Sequence, residues 1–276
     1  MSQAYDYVSQ ELYKSGFKAR FLTNQEYLDW VLLILKEIDA LGSHQKAGSH
    51  RQYNWNVGWD ENVKDGTLIP KYFGKYPVVR MGGRLVHTET SDFEYQAFTK
   101  LQQYVLSSYL SDVDSVYEFG CGTGHNLLGI RSSHPDLKLY GLDWVDSALD
   151  SVATLDGVEP IKFNMFDPDY SVGINNNSAV VTMASMEQLG ANFYAFFRYL
   201  LTYRPKYIIN IEPINELLDK DSLLDYLSFR YSEKRNYLRG YLTYLKMQSV
   251  DIIEAYRSYV GSLFLDGYSV VVWRFI

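Results

Sequence analysis

The 276-residue chain is 47% hydrophobic and 21% charged, the balance of a globular protein long enough to bury an extensive core. A net charge of -7 argues against a broad electrostatic footprint on nucleic acid, and a single cysteine excludes an internal disulfide and a cysteine-built zinc cluster, so no metal site is expected. The longest apolar run, residues 30–35, is far short of the roughly 20 that span a bilayer, and the opening MSQAYDYVSQELYK lacks a basic stretch followed by an apolar one; the expectation is a soluble, cytoplasmic protein with neither membrane nor nucleic-acid partner.

In chain order, Thr23-Asn24-Gln25-Glu26 reads as a capping box. Tyr27, Trp30, Val31, Ile34, Leu35, Ile38 and Leu41 continue it as an apolar helical stripe, with Gly42 as its stop. Residues 43–90 show no sustained period and read as irregular structure with a short hairpin near 78–86. Ser91-Asp92-Phe93-Glu94 reads as a second capping box, opening a helix over 93–110. From Ser115 short strands alternate with helices: strands at 115–119, 137–142, 159–163, 179–183 and 206–211, helices at 125–131, 146–154 and 192–201. Such alternation predicts an α/β, doubly wound, mostly parallel sheet. Residues 217–247 read as a long helical region, and 251–256 and 268–275 as two closing strands, one antiparallel. The domain reading is an N-terminal helical and lid extension over 1–110 and a ligand-binding core over 111–276.

The first core strand runs into Glu118-Phe119-Gly120-Cys121-Gly122-Thr123-Gly124. Ligands of doubly wound sheets bind beyond the carboxyl ends of the strands, and glycines there let backbone approach them closely. Glu118 places negative charge beside the loop, which suits a cationic ligand and repels a pyrophosphate; the glycine spacing also differs from the dinucleotide fingerprint. This disfavours a nicotinamide oxidoreductase. Asp143, about 20 residues beyond Gly124 at the second strand tip, suits two ribose hydroxyls, and Trp144 could pack on a base. Asn164 and Met165 follow at the third tip, and Ala184 and Ser185 at the fourth. Each also has a plain alternative: Asp143 as a helix cap, Asn164 as a turn residue before Pro168. Their succession at neighbouring tips is what marks a ligand site.

Glu118-Phe-Gly-Cys-Gly-Thr-Gly124, Gly141-Leu-Asp143 and the closing strand pair resemble class I S-adenosylmethionine (SAM)-dependent methyltransferases over residues 111–276. The resemblance implies a Rossmann-like seven-stranded sheet with an antiparallel last strand, and SAM held by the positions just named. Asn164 departs from the usual acid at the third tip. The segments PKYFGKYPVVR, MEQLG, IEPINELLD and KRNYLRGYL resemble bacterial methyltransferases of surface-polysaccharide and natural-product pathways, which implies a small-molecule or sugar acceptor. An oxygen acceptor must lose a proton as it is methylated, which favours a positioned base. Glu187, Glu212 and His125 are the candidates, with Pro213 turning the chain so that Glu212 sits at the mouth. Salt bridges and a helix-opening role are the plain alternatives for these three. Arg230, Tyr231 and Lys234, within a basic and tyrosine-rich cluster that includes Arg235 and Tyr237, could clamp an anionic acceptor such as a nucleotide-linked sugar, or form a solvated helix face. Tyr72, Tyr76 and Arg80 could close over the site as part of a lid. A SAM-binding partner subunit without activity, a protein methyltransferase and a homodimer all stay open.

Overall fold

The computed structural model describes residues 2–276. Helix α1 (Gln3–Lys14) is capped by Ser2, whose hydroxyl accepts from the Tyr5 amide, and buries Ala4, Val8 and Leu12. Strand β1 (Ala19–Phe21) precedes α2 (Asn24–Ala40), where the Thr23–Glu26 capping box forms as the sequence predicts. Gly42 does not stop α2. The helix closes on Leu41, and Gly42, at φ -88°, starts a short 3₁₀ turn. Residues 43–90 are less irregular than expected, because α3 (Gln52–Lys64) forms within them. The expected hairpin is β2 (Val78–Met81) paired antiparallel with β3 (Arg84–Thr88). Helix α4 (Phe93–Ser107) begins without the expected capping box. Glu94 turns away from the helix start and accepts from the Gly74 amide at 3.2 Å.

The core alternates as predicted: β4 (Ser115–Phe119), α5 (His125–Ser133), β5 (Lys138–Asp143), α6 (Asp146–Val152), β6 (Val158–Lys162), β7 (Ser178–Met183), α7 (Tyr194–Tyr203) and β8 (Tyr207–Glu212). The long helical region divides into α8 (Leu223–Arg235) and α9 (Tyr241–Lys246), because Asn236 (φ 54°) and Gly240 (φ 74°) take left-handed conformations that no α-helix continues. Then come β9 (Val250–Tyr256), the two-residue β10 (Val260–Gly261) and β11 (Ser269–Phe275).

The main sheet has the order β6-β5-β4-β7-β8-β11-β9. Strands β4 to β8 pair in parallel, and β11 inserts antiparallel between β8 and β9. This is the Rossmann-like, doubly wound sheet that the strand pattern predicts. Its inner strands β4, β7, β8 and β11 are buried on both faces, with period two deciding the face, while the edge strands β6 and β9 are partly exposed. Val116, Val181, Ile209 and Val270 pack with α1, α4 and α5; Tyr117, Val180, Ile208 and Val271 pack with α7 and α9. A second sheet, β1-β3-β2-β10, joins the N-terminal strands to the connection between β9 and β11. A third apolar cluster links α2, the hairpin and α8 through Ile34, Val78, Leu85 and Leu227. Among the described residues no helix is long and apolar enough to cross a membrane.

Candidate functional site

The glycine loop after β4 needs its glycines. Gly120, Gly122 and Gly124 have φ of 71°, 53° and 80°, a region costly for other residues. A Cβ on Gly120 would lie 2.5 Å from the Ser185 Cβ, and one on Gly122 2.7 Å from the Trp59 ring. The Gly120 and Cys121 amides donate to the Leu142 carbonyl at 2.7 and 3.1 Å, which fastens the loop to the tip of β5. Asp143 reinforces that junction by accepting from the amides of Gly122 (3.0 Å), Trp144 (2.8 Å) and Val145 (3.2 Å). Burial pushes its carboxyl up to about 6 against these three donors. Thr123 donates to the Leu68 carbonyl, tying the loop to the N-terminal segment, and Cys121 is buried beneath. Glu118 is fully buried under the loop. Asn126 donates to one of its oxygens at 2.7 Å, and the other has no partner. Burial, then the neighbouring Asp143, raises its carboxyl to about 8. Glu118 does not line the cleft above it.

That cleft, about 530 Å³, opens over the tips of β4 to β7 and is lined by Gly120, Asp143, Trp144, Asn164, Met165, Ala184 and Ser185. The structure thus brings together seven of the twelve residues expected around a cofactor; Glu118, Cys121, Gly122, Thr123 and Gly124 support the cleft from its floor or edge. Trp144 stacks on Phe166 with ring centroids 5.5 Å apart. Asn164 accepts from the Phe166 amide at 2.9 Å, shaping the turn that carries both. Ala184 adopts a left-handed φ of 50°, strain of the kind that gathers at functional sites. The roof comes from α3: Trp55 and Trp59, stacked at 5.7 Å, both line the cleft. The helix is moored to α6, since Asn56 accepts from the Ser147 amide (3.2 Å) and hydroxyl (2.7 Å). Gln52 donates to the Trp144 carbonyl at 2.8 Å.

A second, larger chamber of about 1120 Å³ shares Trp55 and Ala184 with the first. Tyr72, Tyr76 and Tyr231 line it as expected, together with Glu94, Glu187, Arg235, Tyr237 and Tyr268. Tyr72 lines the chamber and leaves 44% of its surface accessible. Glu187 is buried and receives a hydrogen bond from Gln188 at 2.9 Å. Burial, and then the nearby Glu212 charge, push it up to about 8. Burial likewise raises Glu94 to about 7, against the one amide that bonds it.

Other expected residues lie elsewhere. Glu212, fully buried at the end of β8, lines neither chamber. Its carboxylate accepts from the amides of Ser185 (3.1 Å), Met186 (3.0 Å) and Glu187 (3.2 Å), holding the segment after β7. His125 packs against Phe73 and Tyr95, and burial depresses it to about 3, so it stays neutral below the glycine loop. Arg80 is no lid residue. Fully buried, it donates to the carbonyls of Leu263 (3.1 Å), Leu224 (2.6 Å) and Phe264 (3.4 Å), fastening the hairpin to α8 and the last loop. Arg230 faces solvent and bonds Tyr226 at 3.0 Å, and Lys234 lines neither chamber. On α8, residues 231 and 235 share the face turned to the chamber, while 230 and 234 share the next. Of the basic cluster, Arg235 therefore lines the chamber with Tyr231 and Tyr237, beside Lys75, while Arg230 and Lys234 do not. Trp55 and Trp59 lie in the stretch from about residue 55 to 80 that the sequence reads as a lid; Glu94, read only as part of a capping box, is the chamber residue the sequence reading missed.

No family model and no curated protein matches the chain. Among solved structures, the plantazolicin methyltransferase BpumL in complex with SAH, the demethylated product of SAM, is 14% identical, with 88% of this chain and 100% of that one covered at a TM-score of 0.48. A SAM-dependent methyltransferase from Aquifex aeolicus is 16% identical over 63% of this chain and 89% of its own, TM-score 0.47. Human N-acetylserotonin methyltransferase in complex with SAM is 16% identical over 67% and 56%, TM-score 0.45. These identities and scores are too low to carry any activity across.

Proposed function

We propose that the chain is a SAM-dependent methyltransferase that transfers a methyl group to an oxygen or nitrogen of a small acceptor. The observation that carries this reading is the pair of chambers meeting at Ala184 and Trp55. One is a strand-tip cleft and the other an aromatic chamber holding a buried carboxylate. The cleft fits SAM chemically. Glycines that admit no Cβ bring bare backbone to its edge, Asp143 offers a carboxylate for a diol, and Trp144, Met165 and Phe166 offer flat apolar cover for a base. Bound there, SAM supplies a sulfonium-activated methyl group. The chain's own contribution begins with alignment, since an in-line displacement is governed by placing donor and acceptor in contact. Trp55 and Trp59 exclude water from that line. Glu187 faces the acceptor and takes its proton, while Glu212 positions it through the backbone. In this reading residues 1–110 act as the extension that roofs the 111–276 core.

Calorimetry with SAH and with NAD tests the cofactor: SAH binds and NAD does not. Incubation with methyl-labelled SAM and metabolite pools then identifies the product. NAD binding comparable to that of SAH would overturn the assignment; SAH binding without labelled product from any pool would leave a binding subunit.

A further inference from the structure

We propose that the acceptor is an organic amine, held as a cation in the second chamber with its nitrogen between Glu94 and Glu187. This rests on the methyltransferase reading and names its substrate class. Glu94 is 8% exposed, lines the chamber, and has one protein donor, the Gly74 amide. Glu187, also 8% exposed, accepts from the Gln188 amide and has the Tyr237 hydroxyl and the Arg235 charge on its other side, which leaves Glu94 as the less compensated of the two. Among the described residues neither forms an ion pair with Lys, Arg or His. A buried carboxylate ionises only with a positive charge beside it, and Glu94 receives none from the described residues.

The walls suit the same charge. Trp55, Tyr72, Tyr231 and Tyr268 surround the chamber with aromatic rings, which attract cations through their π faces. Of the cations already present among the described residues, Arg235 serves the Glu187 side of the chamber and none serves Glu94. Arg235 donates twice to the Tyr237 hydroxyl, at 3.1 and 3.0 Å, and its guanidinium lies over the Tyr237 ring at 5.1 Å. Lys75 is exposed and lies over Tyr76. An anionic acceptor would meet two carboxylates. A neutral alcohol would leave Glu94 uncompensated.

The chemistry balances without a further reagent. The amine enters as R–NH₃⁺ and passes one proton to the Glu187 carboxylate, which frees the nitrogen lone pair. The N–C bond forms as the S–C bond breaks, and that electron pair stays on sulfur, leaving a neutral thioether. The product, R–NH₂⁺–CH₃, is still a cation and keeps its attraction to Glu94. Glu187 returns its proton to solvent when the chamber opens. The bound cation favours the ionised form of Glu187 and burial favours the neutral one, so the carboxylate takes up the proton as the amine gives it up.

The test is a titration of the full chain, loaded with SAH, with benzyltrimethylammonium, its neutral isostere neopentylbenzene, and benzenesulfonate. The cation should bind at least about tenfold more tightly than either. Glu94→Gln, which removes a buried charge and so spares the fold, should erase that preference without changing SAH affinity. A cation bound no better than the sulfonate or the neutral isostere, or a preference intact in both Glu94→Gln and Glu187→Gln, overturns the proposal. The two readings fail separately. Absent SAH binding removes the methyltransferase assignment, while the same titration without SAH still decides the cation preference.

Discussion

Two glutamates a few ångströms apart illustrate how burial alone does not assign a role. Glu212 satisfies three backbone donors, whereas Glu187 offers its carboxylate to a chamber. Their substitutions should therefore differ in kind. Glu187→Gln should lower turnover about 10²–10⁴-fold with SAH affinity unchanged, the loss expected for a base. Glu212→Ala should chiefly destabilise, by about 2–3 kcal/mol, because buried amides are left unpaired; thermal unfolding distinguishes the two. Asp143→Ala should weaken SAH binding by roughly 1.5–3 kcal/mol in calorimetry, and unchanged affinity would remove Asp143 from the cofactor site. Asp143 and Ser185 were legible in the sequence because a strand tip in a parallel sheet has one place to point. The basic cluster was not. Whether Arg230 or Arg235 faces inward depends on the rotation of α8 against α2, which leaves no mark in composition.

Among the elements, α3 explains most of the difference between reading and structure. Its apolar pair Trp55 and Trp59 is four residues apart, but Asn62 continues that face, donating to the Thr67 and Ile69 carbonyls, so no apolar stripe announces a helix. The helix packs on a site rather than on a core, and pattern recognition depends on cores. The core strands, by contrast, bury both faces and read as near-continuous apolar runs. Because Trp55 and Trp59 line the cleft and Trp59 rests on Gly122, a cofactor bound there would lie against α3. SAH should then quench or shift tryptophan fluorescence and slow amide exchange across residues 52–64. Trp59→Ala should lower turnover more than it lowers SAH affinity. Exchange over 52–64 that is indifferent to SAH would show that α3 is a fixed wall.

At the scale of the molecule, the buried carboxylates set the response to pH. Glu94 and Glu212 stand at about 7, Glu118 and Glu187 at about 8, and Asp143 at about 6, each raised first by burial. Between about pH 5 and 8 the folded chain holds protons that the unfolded chain has released, so raising pH through this window favours unfolding. The surface pair Arg20–Glu26 works the other way only in acid, since Glu26 is depressed to about 2. The melting temperature of the ligand-free protein should thus fall from pH 5.5 to 8.5; a flat or rising profile would mean that these carboxylates are compensated. Removal of residues 1–80 cannot serve as a test of the lid, because Val8 and Leu12 belong to the main core and their loss would unfold it.

The placement of β11 also dictates an order of events during synthesis. Strand β11 (Ser269–Phe275), made after both of its neighbours, occupies an interior position between β8 and β9, and β10 closes a sheet whose other strands end at residue 88. A growing chain that has reached residue 258 therefore carries an open seam in one sheet and an unpaired edge in the other, separated from their partners by up to most of its length. Neither can close by local pairing, and such distant contacts form slowly. Until residue 275 has been added, the apolar edge of β8 is a template for the wrong strand, so the nascent protein stays vulnerable to association until β11 has emerged.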